Sequence, residues 1–99
     1  MSTINKTVFC INEAFWTEHG SKMLSSKMEF ERYLAIIIGD FNENDYAIIF
    51  LPHNVNIAQR HRVHTFSKKN EIKGTSSNIG KKRLMKLVLE PSYIKQILN

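Results

Sequence analysis

The strongest constraint on the fold is a helix signal at Ser26-Lys27-Met28-Glu29. A serine followed three residues later by a glutamate is a capping box, in which each side chain bonds the backbone N–H of the other residue. Apolar residues then recur at helical spacing: Phe30, Tyr33, Leu34, Ile37, Ile38 and Phe41. The sequence therefore predicts an amphipathic helix over about residues 27–39.

Three strands and a second helix are predicted after it. Residues 46–51 are β-branched or aromatic and end at Pro52, which cannot donate to a strand ladder. A helix over about residues 57–69 follows, capped by Asn54 or Asn56, with Ile57, Val63 and Phe66 facing inward. Residues 71–76 and 83–89 complete the strands, and Met85, Leu87 and Leu89 face the helices. This order predicts an α/β (α+β) fold, a small three-stranded β-sheet with two or three helices packed on one face.

The chain divides into a lead-in over residues 1–25, a domain over 26–90 and a tail over 91–99. The lead-in is expected to hold a short helix from Asn12 to Gly20, where the glycine ends it. Cys10 lies in an apolar run and is expected to be buried and inert. The tail is expected to be a loosely attached helical turn.

Length and composition predict one small domain: 99 residues, 42% of them apolar. No run of 18 or more apolar residues occurs, so we expect no membrane partner. The first residues lack a basic region joined to an apolar one, so we expect no secretory signal, and the one cysteine cannot form an internal disulfide. We therefore expect an intracellular monomer, in the nucleus or the cytoplasm, without a cofactor.

Positive charge is concentrated in one segment. Residues 1–52 carry 4 Lys/Arg against 7 Asp/Glu, whereas residues 53–86 carry 9 Lys/Arg against Glu71 alone. A net charge of +8 over 34 residues attracts a polyanion while leaving the acidic half free for packing.

Arg60 and His64 form the centre of this segment. On a helix, residues four apart share a face, so the arginine fork and the imidazole can grip one phosphate. Other residues can extend the contact: Arg62, Lys68, Lys81, Lys82 and Arg83 as cations, and Ser76 through its hydroxyl. His61 or Phe50, where exposed, can stack on a base, although Phe50 is predicted to belong to the core.

The order and spacing of these residues resemble the Arg-x-x-x-His domain family, whose modules are named for an arginine and a histidine separated by three residues. The similarity covers about residues 28–89. In the family a helix and a strand ending Phe-Pro-Pro-hydrophobic precede the Arg-x-x-x-His helix, and a serine and an arginine bracket the last strands. The matching parts here are residues 30–38, residues 50–53, Arg60 with His64, Ser76 and Arg83. Leu51, His53 and the longer, more basic turn at 78–82 depart from the pattern.

The resemblance implies a three-stranded α/β fold that binds single-stranded RNA or DNA without catalysis. It also implies one module of a larger RNA- or DNA-handling protein, such as a transcription regulator. Residues 9–24 are similar to the lead-in of the copy that ends NFX-type zinc-finger regulators, although this chain lacks their cysteine-rich fingers.

Three more specific activities, namely nucleotide binding, zinc binding and nuclease catalysis, fit the sequence less well. Five residues separate Gly74 from Gly80, where a phosphate-binding loop has four. A zinc site would have to combine His61 and His64 with Cys10, His19 or His53, and no second close pair of ligands exists. A nuclease with His64 as its base would lack a carboxylate cluster for magnesium. The main alternative to nucleic acid is a protein-interaction module that docks an acidic partner on the basic face.

Overall fold

The computed structural model describes residues 6–39, 45–70, 72–79 and 82–98; for residues 73–79 and 82–84 it describes the backbone only. The elements, in chain order, are β1 (Lys6–Cys10), α1 (Glu13–Met23), α2 (Lys27–Ile38), β2 (Tyr46–Phe50), α3 (Ile57–Lys69), β3 (Lys73–Ile79), β4 (Lys82–Leu89) and α4 (Pro91–Leu98). The predicted α/β class is confirmed.

The strands form one mixed sheet in the order β1-β2-β4-β3. β1 pairs with β2 in parallel, with Val8 opposite Ile48, whereas β4 is antiparallel to both β2 and β3. The three predicted strands are therefore joined by a fourth, β1, at the edge beside β2. β1 was not predicted, because its residues are exposed apart from the half-buried Phe9 and it therefore lacks the usual alternation.

Alternation along the strands gives the sheet two different faces. Ala47 and Ile49 of β2 are buried, as are Met85, Leu87 and Leu89 of β4. These residues belong to one core, to which α1, α2, α3 and α4 contribute Trp16, Phe30, Val63 and Ile94 among others. The alternate residues on β2, Tyr46, Ile48 and Phe50, are half-buried and lie outside this core. The prediction that Phe50 belongs to the core is therefore wrong.

Caps set the ends of α2 and α3. The Ser26 hydroxyl accepts from the Glu29 N–H at 3.1 Å, which starts α2 where the capping box predicts. α2 ends at Gly39, whose φ of 57° suits a residue without a side chain. Asn56 caps α3, and its bounds agree with the predicted 57–69.

α1 continues past the glycine that was expected to end it. Gly20 is buried inside the helix, and a Cβ there would lie 2.9 Å from Cε2 of Trp16. Because the indole ring occupies the space that a side chain would need, Gly20 is required for packing. The prediction of a helix stop at Gly20 is wrong for this reason.

Three further predictions are corrected. Ile57 is 75% exposed, because the inward side of α3 is centred on Val63, Phe66 and Ser67. Cys10 is exposed on β1. The tail is the helix α4, which is anchored by buried Tyr93 and Ile94. Phe41 lies outside the described residues.

The longest described helix, α3, has 13 residues, and none of the described helices combines the length and apolarity that crossing a bilayer requires.

We expect Gly20→Ala to destabilise the protein although alanine is the better helix former. Its Cβ would force the buried Trp16 ring to move, at a net cost of about 1–3 kcal/mol in the free energy of unfolding. The exposed neighbour Ser21→Ala is the control and should change that free energy by less than about 0.5 kcal/mol. Urea denaturation measures both; a more stable Gly20→Ala protein would contradict the packing role.

A second prediction concerns Tyr93, whose hydroxyl donates to Glu31 Oε2 at 3.2 Å. Burial, and next the nearby carboxylate, raise the pKa of Tyr93 above its ordinary value. The folded state thus keeps a proton that the unfolded state loses above about pH 10, so stability falls as the pH rises beyond that value. Tyr93→Phe should cost about 1 kcal/mol at neutral pH. The difference in the free energy of unfolding between wild type and Tyr93→Phe, measured by urea denaturation, should shrink toward about pH 11. A difference that stays constant with pH would refute the raised pKa of Tyr93.

Candidate nucleic-acid interface

The candidate site begins at the N-terminus of α3, which three residues hold in place. The Asn56 side chain accepts from the Gln59 N–H at 2.8 Å, and Gln59 Oε1 accepts from the Asn56 N–H at 3.0 Å. The same Gln59 oxygen accepts from Trp16 Nε1 at 3.1 Å. The capping box therefore ties the start of α3 to the buried ring of α1.

α3 carries cations and no carboxylate. Its 13 residues include Arg60, Arg62, Lys68 and Lys69, and no Asp or Glu. Lys68 and Lys69 lie in the last turn, where positive charge is favourable near the helix C-terminus. The helix thus has basic character without an internal ion pair to neutralise it.

Arg60, His64 and Lys68 share one flank of α3. Since successive helical residues turn by about 100°, these three fall within about 80° of one another around the axis, with His61 close by. We call these four residues the basic flank. His61, His64 and Lys68 are exposed. The expectation that Arg60 and His64 share one side of a helix therefore agrees with the structure.

Arg60 is half-buried and partly fixed. One of its terminal nitrogens donates to the Val55 carbonyl at 3.3 Å. Its Nε is buried and has no hydrogen-bond partner among the described residues. A buried guanidinium N–H without an acceptor is costly, but a ligand from solvent cannot reach this Nε, so an anion would have to bind the part of Arg60 that stays exposed.

His64 lies one turn after Arg60 and has no hydrogen-bond or ionic partner in the described part of the chain. The Cβ atoms of residues four apart on a helix are about 5–6 Å from each other. An imidazole N–H and the arginine fork can therefore reach one phosphate group from the same side.

Arg62 is exposed on the opposite side of the helix from Arg60 and contacts other neighbours. Its Nε donates to the Leu24 carbonyl at 2.9 Å, and its Cζ lies 5.5 Å from the centroid of the Phe66 ring. Phe66 in turn stacks on Phe30 of α2 at 5.2 Å between centroids. The structure thus separates Arg62 from Arg60 and uses it to join α3 to the end of α1.

The remaining predicted residues lie in or near the β3–β4 hairpin, beside α3. Ser76 pairs with Met85, and Arg83 pairs with Asn78 two register positions away. Lys82 begins β4 opposite Ile79. The side chains of these residues, and Lys81 as a whole, lie outside the described residues. The backbone therefore places Ser76, Lys82 and Arg83 on one hairpin, next to the helix that carries Arg60.

The histidines considered for zinc are dispersed. His19 packs against Phe15, with ring centroids 4.7 Å apart, and His53 Nε2 lies 2.9 Å from Glu13 Oε1. Across residues 6–39, 45–70, 72–79 and 82–98, no three His, Cys, Asp or Glu side chains are grouped closely enough to hold a metal ion.

Sequence reasoning missed the residues that position the site. The sequence-based interpretation assigned no role to Gln59 or Trp16. The spacing Asn56-x-x-Gln59 is a capping-box pattern and gave a usable signal. The contact with Trp16, 43 positions earlier, had no local signal.

Comparison of the chain with protein-family models, with curated proteins and with solved structures gives no significant match.

The two arginines should respond differently to substitution by alanine. Arg62→Ala removes a hydrogen bond to Leu24 and the contact with Phe66, and should lower the free energy of unfolding by about 1–2 kcal/mol. Arg60→Ala removes the same charge, but the only hydrogen bond it loses among the described residues is the long one to the Val55 carbonyl. It should lower the free energy of unfolding by less than about 0.5 kcal/mol. Urea denaturation of both variants measures the difference; equal losses would contradict the division of roles.

Proposed function

We propose that this protein is a non-catalytic module that binds single-stranded nucleic acid through the basic flank of α3. The observation that carries the proposal is that Arg60 and the exposed His64 lie one helical turn apart on a helix that has no carboxylate. A phosphate supplies a negative charge and acceptor oxygens to both side chains. Lys68 lies a turn further along the same flank and extends the positive track.

The absence of acidic residues from α3 supports a polyanionic ligand. The exposed side of a helix normally carries residues of both charges. A helix side with only basic residues attracts a phosphate backbone and discriminates little between bases. The proposed ligand is RNA or DNA in single-stranded form. This is also the activity that the resemblance to the Arg-x-x-x-His family implies, and membership of that family is part of the proposal.

The hairpin residues fit the same proposal. Lys82, Arg83 and Ser76 lie on β3 and β4, beside α3, where a bound strand leaving the basic flank would pass. Each cation there would neutralise a further phosphate without adding base preference. We propose three to four phosphate contacts in total, with Arg60 and His64 sharing the first.

Fluorescence anisotropy with labelled single-stranded RNA, single-stranded DNA and duplex DNA tests the proposal. The wild-type protein should bind a single strand most tightly, and log K should fall with log salt at a slope of about −2 to −3. The double variant Arg60→Ala/His64→Ala should bind at least about tenfold more weakly, with a shallower slope by about one unit. Binding weakens and the slope becomes shallower because the double variant no longer contacts the phosphate that Arg60 and His64 share.

Lys95→Ala is the matched control. Lys95 is an exposed cation on α4, and its removal changes the net charge as much as removal of Arg60 does. It should leave the affinity within about twofold of the wild type, because it lies on another element. Wild-type affinity in a folded Arg60→Ala/His64→Ala variant would remove the basic flank from the site. Failure of all three nucleic acids to bind at low salt would overturn the proposal in favour of an acidic protein partner.

A further inference from the structure

The face of the sheet turned away from the core carries an apolar and aromatic surface. Its residues are fixed by register: Val8 lies opposite Ile48 and Ile48 opposite Val88, while Phe50 lies between Cys10 and Lys86. Residues directly opposite on neighbouring strands share one face. We call this set the open face. Val8 is 56% exposed, and none of these side chains belongs to the core formed by the described residues.

Phe50 is the best-placed aromatic side chain on the open face. It is half-buried, so its ring is held by neighbours while part of it reaches solvent. It also lines a surface depression of about 610 Å³ at the carboxyl ends of β1 and β2, together with Cys10, Pro52 and His53 and with Glu13, whose carboxylate lies 2.9 Å from His53 Nε2. A flat ring beside a shallow, mostly apolar depression has the shape that an unpaired nucleobase requires.

The charge on this face favours a polyanion over an apolar protein. The described strand side chains, at residues 6–10, 46–50 and 85–89, include Lys6 and Lys86 and no Asp or Glu. Lys86 is directly opposite Phe50 and has no ion-pair partner within the described part of the chain. A lysine packs its stem along an aromatic neighbour and keeps its ammonium group in water, where a phosphate can reach it.

We propose that the open face is a base-stacking surface, on which a nucleobase of a single strand packs against Phe50 while Lys86 contacts the adjoining phosphate. The inference rests on the proposed function but uses another surface, since α3 packs on the core side of the sheet. Stacking tolerates every base, so the surface adds affinity without sequence preference.

An abasic oligonucleotide separates stacking from phosphate contact. The probe is a labelled single strand of about 12 nucleotides, compared with the same backbone lacking its bases. Wild-type protein should bind the complete strand about tenfold more tightly than the abasic one, as expected for one stacked base. Phe50→Leu should reduce this ratio to about one, whereas Phe50→Tyr, which keeps a ring, should preserve it.

The outcomes distinguish the two proposals. The double variant Arg60→Ala/His64→Ala should lower the affinity for the complete strand and for the abasic strand by the same factor. The ratio of the two affinities should therefore stay unchanged. A ratio near one in the wild type, with binding retained, would overturn the stacking surface and leave the basic flank standing. A folded Phe50→Leu variant that still prefers the complete strand about tenfold would also overturn the stacking surface. If the wild type binds neither strand, both proposals fail. The wild-type comparison requires no variant, so it decides the matter even if Phe50→Leu does not fold.

Discussion

A single oxygen atom, Oε1 of Gln59, joins the two halves of this small fold. It accepts from the backbone N–H of Asn56, which starts α3, and from the indole N–H of Trp16, which lies in the core. The indole in turn fits against Gly20 with no room for a Cβ. The position of α1 therefore determines where α3 begins, and Arg60 is the next residue along the helix.

The rotation of α3 about its axis decides which neighbours its two arginines contact, since Arg62 is exposed and Arg60 is half-buried. Helix propensity treats Arg60 and Arg62 alike, since neither residue favours one side. Val63 and Phe66 must be buried, and the stacking of Phe66 on Phe30 sets the angle. Arg62 is then turned toward the end of α1, while Arg60 is turned toward the Val55 carbonyl and His64 toward solvent. The basic flank thus begins beside the packed side of the helix, with half-buried Arg60, and continues to the exposed residues His64 and Lys68.

Local signals in the sequence predicted α2, α3, β2 and β4, because caps, helical spacing and strand alternation depend on neighbouring residues. The same signals failed for β1, an edge strand with a single half-buried side chain, Phe9. They also failed at Gly20, where the determining contact is packing against a ring rather than backbone freedom. In the candidate site, the pairing of Arg60 with His64 follows from their spacing. The hydrogen bond from Arg62 to Leu24 does not, because Leu24 lies 38 residues earlier in the chain.

The sheet order gives a geometric relation between the two proposed surfaces. α3 lies on the core side next to β3, which is one edge of the sheet, whereas Phe50 is on the opposite face of β2, two strands inward. Neighbouring strands are about 4.8 Å apart, so a single strand that passes around the β3 edge has only about 10 Å of sheet to cross before it reaches Phe50. The hairpin at that edge contains Lys82 and Arg83. Cations there would therefore serve both surfaces, and an oligonucleotide too short to pass around the edge should engage only one of them.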